Sequence, residues 1–122
     1  SMYVGVDMTH INRWQKLVDE HPHRLMRIFT EAEMAHCEKK GKKKAESYAG
    51  LWAVREAASK ALRTGFSNAS WKDAHVTWGK WGEPILHLEG TFLERAQKLG
   101  IREISISISH EEPMAIAMVV MI

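Results

Sequence analysis

The sequence predicts an α+β fold, and three observations carry that prediction. Apolar residues recur at helical spacing in the first half, the second half switches to alternation, and the closing stretch MAIAMVVMI is apolar on both faces. A long alanine-rich helix in the middle and strands that alternate behind it imply an antiparallel sheet packed on a central helix. With 122 residues and an apolar fraction of 45%, residues 1–122 are expected to form a single domain with a real core.

Each element follows from its local pattern. Tyr3 to Met8 reads as a strand, with Val4, Val6 and Met8 on one face and Tyr3, Gly5 and Asp7 on the other. Thr9 is the expected cap of a first helix through INRWQKLVDE, whose stripe is Ile11, Trp14, Leu17 and Val18, and His21-Pro22 should end it. Thr30 followed by Glu33 fits a capping box at the start of a second helix. After KKGKKK, the central helix is predicted from about Ala45 to Thr64, stopping at Gly65. AHVTWGKWGEPILHLEG reads as two strands joined by a glycine-rich turn, and TFLERAQKLG as a short amphipathic helix. In EISISISH, Ile104, Ile106 and Ile108 share one face, and Ser105, Ser107 and Ser109 the other. A final strand apolar on both faces wants cover from a central sheet position or a subunit interface.

Composition narrows the function classes. A net charge of +2 makes the whole molecule no polyanion binder, so local patches must carry any such claim. The single Cys37 forms no internal disulfide, which fits a reducing cytoplasm. Neither a signal-peptide pattern nor a membrane-length apolar run is present, and Ser1 before Met2 reads as an expression scar. The motifs HExxH, CxxC and the Walker loop are missing, so zinc hydrolysis and P-loop chemistry have no support.

Charged residues inside the central helix raise the question of a site. Glu56 and Lys60 stand one turn apart, which suits an intrahelical ion pair. Ala57, Ala58 and Ala61 around them suggest close packing instead of a freely solvated face, and Gly65 permits close approach of a ligand to the backbone. Asp7, at the end of a strand, is either a helix cap or one ligand of a hard cation such as Mg²⁺. Cys37 lacks an evident histidine partner and receives no catalytic role.

Four segments, VGVD, WAVREAASKAL, GEP and SISISH, taken in order and spacing, resemble the holo-[acyl-carrier-protein] synthase family. These are the small, bacterial-type 4′-phosphopantetheinyl transferases. The resemblance implies that fold, a homotrimer with active sites between protomers, and transfer of 4′-phosphopantetheine from coenzyme A to a serine of acyl carrier protein. It further implies Asp7 and Glu56 as magnesium ligands, Glu56 or a water it orients as the base, and Lys60 at the coenzyme A phosphates. Gly65, Pro84, Ser109 and His110 fall in segments that line the coenzyme A site. Arg13 matches a basic residue that meets the acidic carrier protein. Arg27 is a candidate helper from the same third of the chain, while Arg24 reads first as an ordinary solvated arginine.

Two departures stand out. The family usually has KEA where this chain has REA, and commonly an arginine where this chain has Leu51. Arg55 and Leu51 are one turn apart, so Arg55 is a candidate to supply the missing charge to the coenzyme A phosphates. The competing readings are a module that grips polyanions through Lys39 to Lys44, and a homologue that binds coenzyme A without transferring it. Neither nucleic acid nor a membrane is an expected partner.

Overall fold

The structure is a computed structural model that describes residues 1–66 and 69–122. The first half comprises β1 (Tyr3–His10), α1 (Ile11–Glu20), a single turn α2 (Leu25–Ile28), α3 (Glu31–Glu38) and α4 (Lys44–Ala61). The second half comprises β2 (Ala74–Trp78), β3 (Pro84–Leu88), α5 (Gly90–Lys98), β4 (Ile104–Glu111) and β5 (Met114–Met121). β1, β5 and β4 form an antiparallel sheet in that order, while β2 and β3 pair as a separate hairpin.

The central helix lies on the sheet because both surfaces have been stripped of bulk. Ala45, Ala49, Ala53, Ala57, Ala58 and Ala61 are buried along α4. A Cβ at Gly5 would collide with the Ala57 carbonyl, so only glycine lets β1 cross the helix there. Rows of the inner face run Gly5–Val119–Ile106, Asp7–Ala117–Ile108 and Thr9–Ala115–His110. Being central, β5 has α4 over one face, which accounts for half of its apolar pattern. The outer face carries Val4, Val6, Met8 and Met118 exposed, bordered by Ser105, Ser107 and Ser109.

Local expectations mostly hold, with two corrections. The Thr30–Glu33 capping box is present, and α1 ends at Glu20 before His21-Pro22. Thr9, however, caps nothing: α1 begins after His10, and the Thr9 hydroxyl is buried as acceptor for the Trp14 indole N–H at 3.2 Å. The sheet register carries β1 through His10, and this takes Thr9 into the core row beside Ala115. The central helix ends at Ala61, short of Gly65. Arg63 takes φ +58°, its N–H bonds to the Lys60 carbonyl at 3.1 Å, and the Thr64 N–H bonds to the Ser59 carbonyl at 3.0 Å. This is the left-handed C-terminal motif that usually employs glycine.

Candidate active site

The site is built where β1 passes the C-terminal half of α4. Lys60 Nζ donates to Asp7 Oδ1 at 3.1 Å and to the Val6 carbonyl at 3.0 Å. The expected Glu56–Lys60 pair is therefore replaced by a tertiary one, because the strand offers the ammonium a carboxylate and a carbonyl together. Nor does Asp7 act as a helix cap, since α1 has no side-chain cap. Glu56 is half-buried, and its carboxyl is held above the usual glutamate value. Burial is the main cause and the Asp7 charge the second, with Lys60 and Arg13 pulling the other way. Glu56 thus feels both the Asp7 carboxylate and the Lys60 ammonium that is paired with Asp7.

That donor set suits a hard cation that a phosphate helps to hold. Mg²⁺ takes one or two carboxylates, waters and substrate phosphates, and does not need a full protein cage. Among the described residues no cluster of three or more His, Cys, Asp or Glu side chains could hold a metal by itself. Asp7 and Glu56 are the residues that would fit such an ion: both are carboxylates beside Lys60, and Glu56 is near enough to feel the Asp7 charge.

A second set of expected residues lies on the other flank of α4. Pro84 and His110 line a groove of about 300 Å³ together with Leu51, Ile108, His36 and Trp78. The His36 ring stacks on Trp78 at 3.6 Å with only 8° between planes. His110 Nδ1 lies 3.9 Å from Glu46 Oε1. Ser109 is on the opposite face of β4, opposite Ile116 and exposed, and so does not join His110 in this groove. Ser47, which also lines it, precedes Glu56 by nine residues, hence about 13.5 Å along the helix and half a revolution around it. Within one chain, Asp7, Glu56 and Lys60 therefore stand apart from Pro84 and His110. Gly65 is exposed and open, with nothing within 4 Å of where a Cβ would sit; the adjoining Ser67 and Asn68 lie outside the described residues.

Arg55 is not a ligand-facing residue, and the expectation that it covers for Leu51 is overturned. Its side chain is fully buried and forks onto Glu33, Nη2 to Oε1 at 2.6 Å and Nη1 to Oε2 at 3.0 Å. Its remaining donors go to the carbonyls of Trp71, Ile28 and Leu51. Helical position 55 faces α3 and the start of β2, whose Val76 N–H also bonds to Glu33 at 2.9 Å. Cys37 is likewise buried, its thiol pushed up to about 12 chiefly by burial, and so is inert.

Arg13 stands 5.7 Å from the ring centres of both Trp14 and Trp52, at a hollow of about 290 Å³ that Arg24 also lines. Its charge is felt at Glu56, so this surface adjoins the carboxylate pair. Arg27 is exposed on α2 and outside that hollow. Sequence reasoning missed His36, Trp78 and Lys40 as groove residues. Lys40 reads as part of a solvated charge run, and no local pattern marks the other two.

A half-buried carboxylate pair beside a lysine, on an α+β frame, is chemistry that suits a protein handling phosphorylated groups. Comparison with known proteins specifies it. A profile of the 4′-phosphopantetheinyl transferase superfamily matches residues 3–117. The Alkaliphilus metalliredigens holo-[acyl-carrier-protein] synthase is 40% identical over 114 residues, covering 93% of each chain. The holo-[acyl-carrier-protein] synthase of Caldanaerobacter subterraneus is 35% identical over 119 residues, 98% of this chain and 93% of its own. Among solved structures, the Helicobacter pylori holo-[acyl-carrier-protein] synthase in complex with coenzyme A superposes with a TM-score of 0.81 at 32% identity. That match covers 97% of this chain and 98% of the other. The chain belongs to the 4′-phosphopantetheinyl transferase superfamily, within its holo-[acyl-carrier-protein] synthase family.

Proposed function

We propose that the protein transfers 4′-phosphopantetheine from coenzyme A to a serine of apo acyl carrier protein, releasing 3′,5′-ADP. The observation that carries this reading is the convergence of Asp7, Glu56 and Lys60 on a frame shared with coenzyme A-binding relatives. The serine oxygen bonds to the β-phosphorus as the bond to the departing 3′,5′-ADP oxygen breaks, and the serine proton must leave. Glu56, directly or through a water, is placed to take it; its raised affinity for protons suits a base, a role typically worth ~10²–10⁴ in rate. Lys60 reaches solvent with over half of its side chain exposed and offers its ammonium to the pyrophosphate. Mg²⁺ held by Asp7 and Glu56 would neutralise charge on the transferring phosphoryl group.

The complete site takes two copies of the chain. Pro84 and His110 lie across α4 from the carboxylates, so one coenzyme A meets both sets only between protomers. The exposed apolar outer face of the sheet supplies a surface for a homotrimer. Carrier protein, being acidic, docks on the Arg13 and Arg24 side of Glu56, with Arg27 as an outlying charge. No described helix is long and apolar enough to cross a membrane, and the chemistry fits the cytoplasm, where carrier protein and coenzyme A meet.

Mass spectrometry of apo carrier protein incubated with the chain, coenzyme A and Mg²⁺ tests the reading. A gain of roughly 340 Da, the mass of the transferred arm, is expected. An unmodified carrier protein alongside tight coenzyme A binding would instead identify a non-catalytic binder. Arg13→Glu is expected to raise the KM for carrier protein and flatten its salt dependence.

A further inference from the structure

The hairpin of β2 and β3 is separate from the three-stranded sheet, and its outer face carries a histidine pair that the transfer chemistry does not use. His75 and His87 are directly opposite in the register, with ring centres 5.1 Å apart and 16° between their planes. One nitrogen of each ring is already engaged. His75 Nδ1–H donates to the Lys72 carbonyl at 3.2 Å, and the Glu89 carboxylate lies 3.5 Å from the same nitrogen. A carbonyl only accepts, so this bond fixes the tautomer and leaves a lone pair on Nε2. His87 Nε2 pairs with the Thr77 hydroxyl at 2.6 Å, so Nδ1 is its remaining nitrogen. Among the described residues, neither Nε2 of His75 nor Nδ1 of His87 has a hydrogen-bond partner. Asp73, at the entry to β2, is committed to the Ser70 N–H at 3.1 Å. An imidazole whose far nitrogen is held by a carbonyl, carboxylate or hydroxyl is the arrangement by which proteins aim histidines at a metal.

We propose that His75 and His87 form a site for a divalent transition-metal ion of the Zn²⁺, Ni²⁺ and Cu²⁺ class, with waters completing its shell. Zn–N bonds of about 2.0–2.1 Å at a tetrahedral angle set two imidazole centres roughly 5 Å apart, which matches the observed spacing. His75 is the fixed ligand, held by Lys72 and Glu89; the exposed His87 ring turns to bring Nδ1 onto the ion. Metal binding selects the tautomer in which His87 Nε2–H donates to Thr77. Imidazole suits these ions and not Mg²⁺, so the site is independent of Asp7 and Glu56 and of the transfer reading. The bound ion ties β2 to β3, a pair with no third strand beside it.

Calorimetry of the full chain with Zn²⁺ in excess Mg²⁺ tests it. The wild type is expected to take one Zn²⁺ per chain and to melt at a higher temperature with Zn²⁺ than with EDTA. His75→Gln and His87→Gln should each weaken binding by at least about tenfold. Thr77→Val removes only the hydroxyl that orients His87, keeps a strand-forming side chain, and should weaken binding by about tenfold. His23→Gln, remote in sequence from the hairpin, should bind as the wild type does. A wild type that takes up no Zn²⁺, or a His75→Gln/His87→Gln double variant that binds it equally well, would overturn the site. Carrier-protein modification, measured separately, is unaffected by that outcome because none of these variants alters Asp7, Glu56 or Lys60.

Discussion

At the scale of single residues, the site spends stability for chemistry. Glu56 keeps its proton to higher pH in the folded protein than in the unfolded chain. The folded state therefore binds more protons across that window, and stability falls as pH rises through it. Glutamine carries no such charge, so Glu56→Gln is expected to melt at a higher temperature than wild type at pH 7 while losing transfer. The difference in melting temperature should close towards about pH 4, where both states of the wild-type carboxyl become protonated. Circular dichroism melts at the two pH values read this out. A lower melting temperature for the variant at pH 7 would mean that Arg13 and Lys60 support Glu56 more than burial and Asp7 burden it. Arg55 is the opposite case, a charge wholly committed to the fold. Removing it strands Glu33 without exposure to water, so Arg55→Ala is expected to destabilise by ~3–5 kcal/mol in urea unfolding. Arg55→Lys keeps the charge but not the fork and should sit between the two.

At the scale of elements, α4 does two jobs, and its ends show the strain between them. Its C-terminus is closed by a left-handed arginine, Arg63, where glycine would meet no resistance. Holding a non-glycine residue there costs about 1–2 kcal/mol. Arg63 recovers part of it by standing over the Tyr3 ring at 5.4 Å, an exposed contact worth about 0.5–1 kcal/mol. The first figure exceeds the second, so Arg63→Gly is expected to shift the denaturant midpoint upward with an unchanged slope. A downward shift would mean that the arginine's contacts outweigh the backbone relief. Packing on the sheet depends on a different economy, the absence of side chains. Gly5 lets β1 lie against Ala57, and this proximity brings Asp7 to Lys60 and Glu56.

At the scale of the whole molecule, one chain carries two separated sets of candidate site residues. The carboxylates and Lys60 occupy one flank of α4, the groove with His110 the other. If protomers share each site, two inactive variants can complement each other. Glu56→Ala and His110→Ala proteins, unfolded and refolded together, are expected to regain up to about a quarter of wild-type activity from mixed assemblies. Each refolded alone should stay near its own low level. A mixture no better than the sum of its parts would place both halves in one chain's site. Light scattering of Val6→Glu tests the surface: charge on the exposed outer face should yield monomers.

Much of this protein is written locally. Period and capping chemistry marked the helices and strands because they depend on neighbours within a few residues: the Thr30 box, the break at His21-Pro22, the alternation of β4. The four segments that resemble the family pointed to Asp7, Glu56 and Lys60; the fold pairs Asp7 with Lys60 across 53 residues of chain, and Glu56 feels the charge of both. What the sequence left open was the direction in which charges turn. Arg55 and Lys60 both sit on α4, yet one is sealed against Glu33 and the other reaches across to β1. Glu33 was legible as a cap, but not as the partner that takes Arg55 away from any ligand. Lys40 looked like one more solvated lysine until the groove gave it two walls. Helical spacing says which residues share a stripe; only packing decides whether that stripe meets a core, a partner carboxylate or water, because the energies that choose among them come from residues far along the chain.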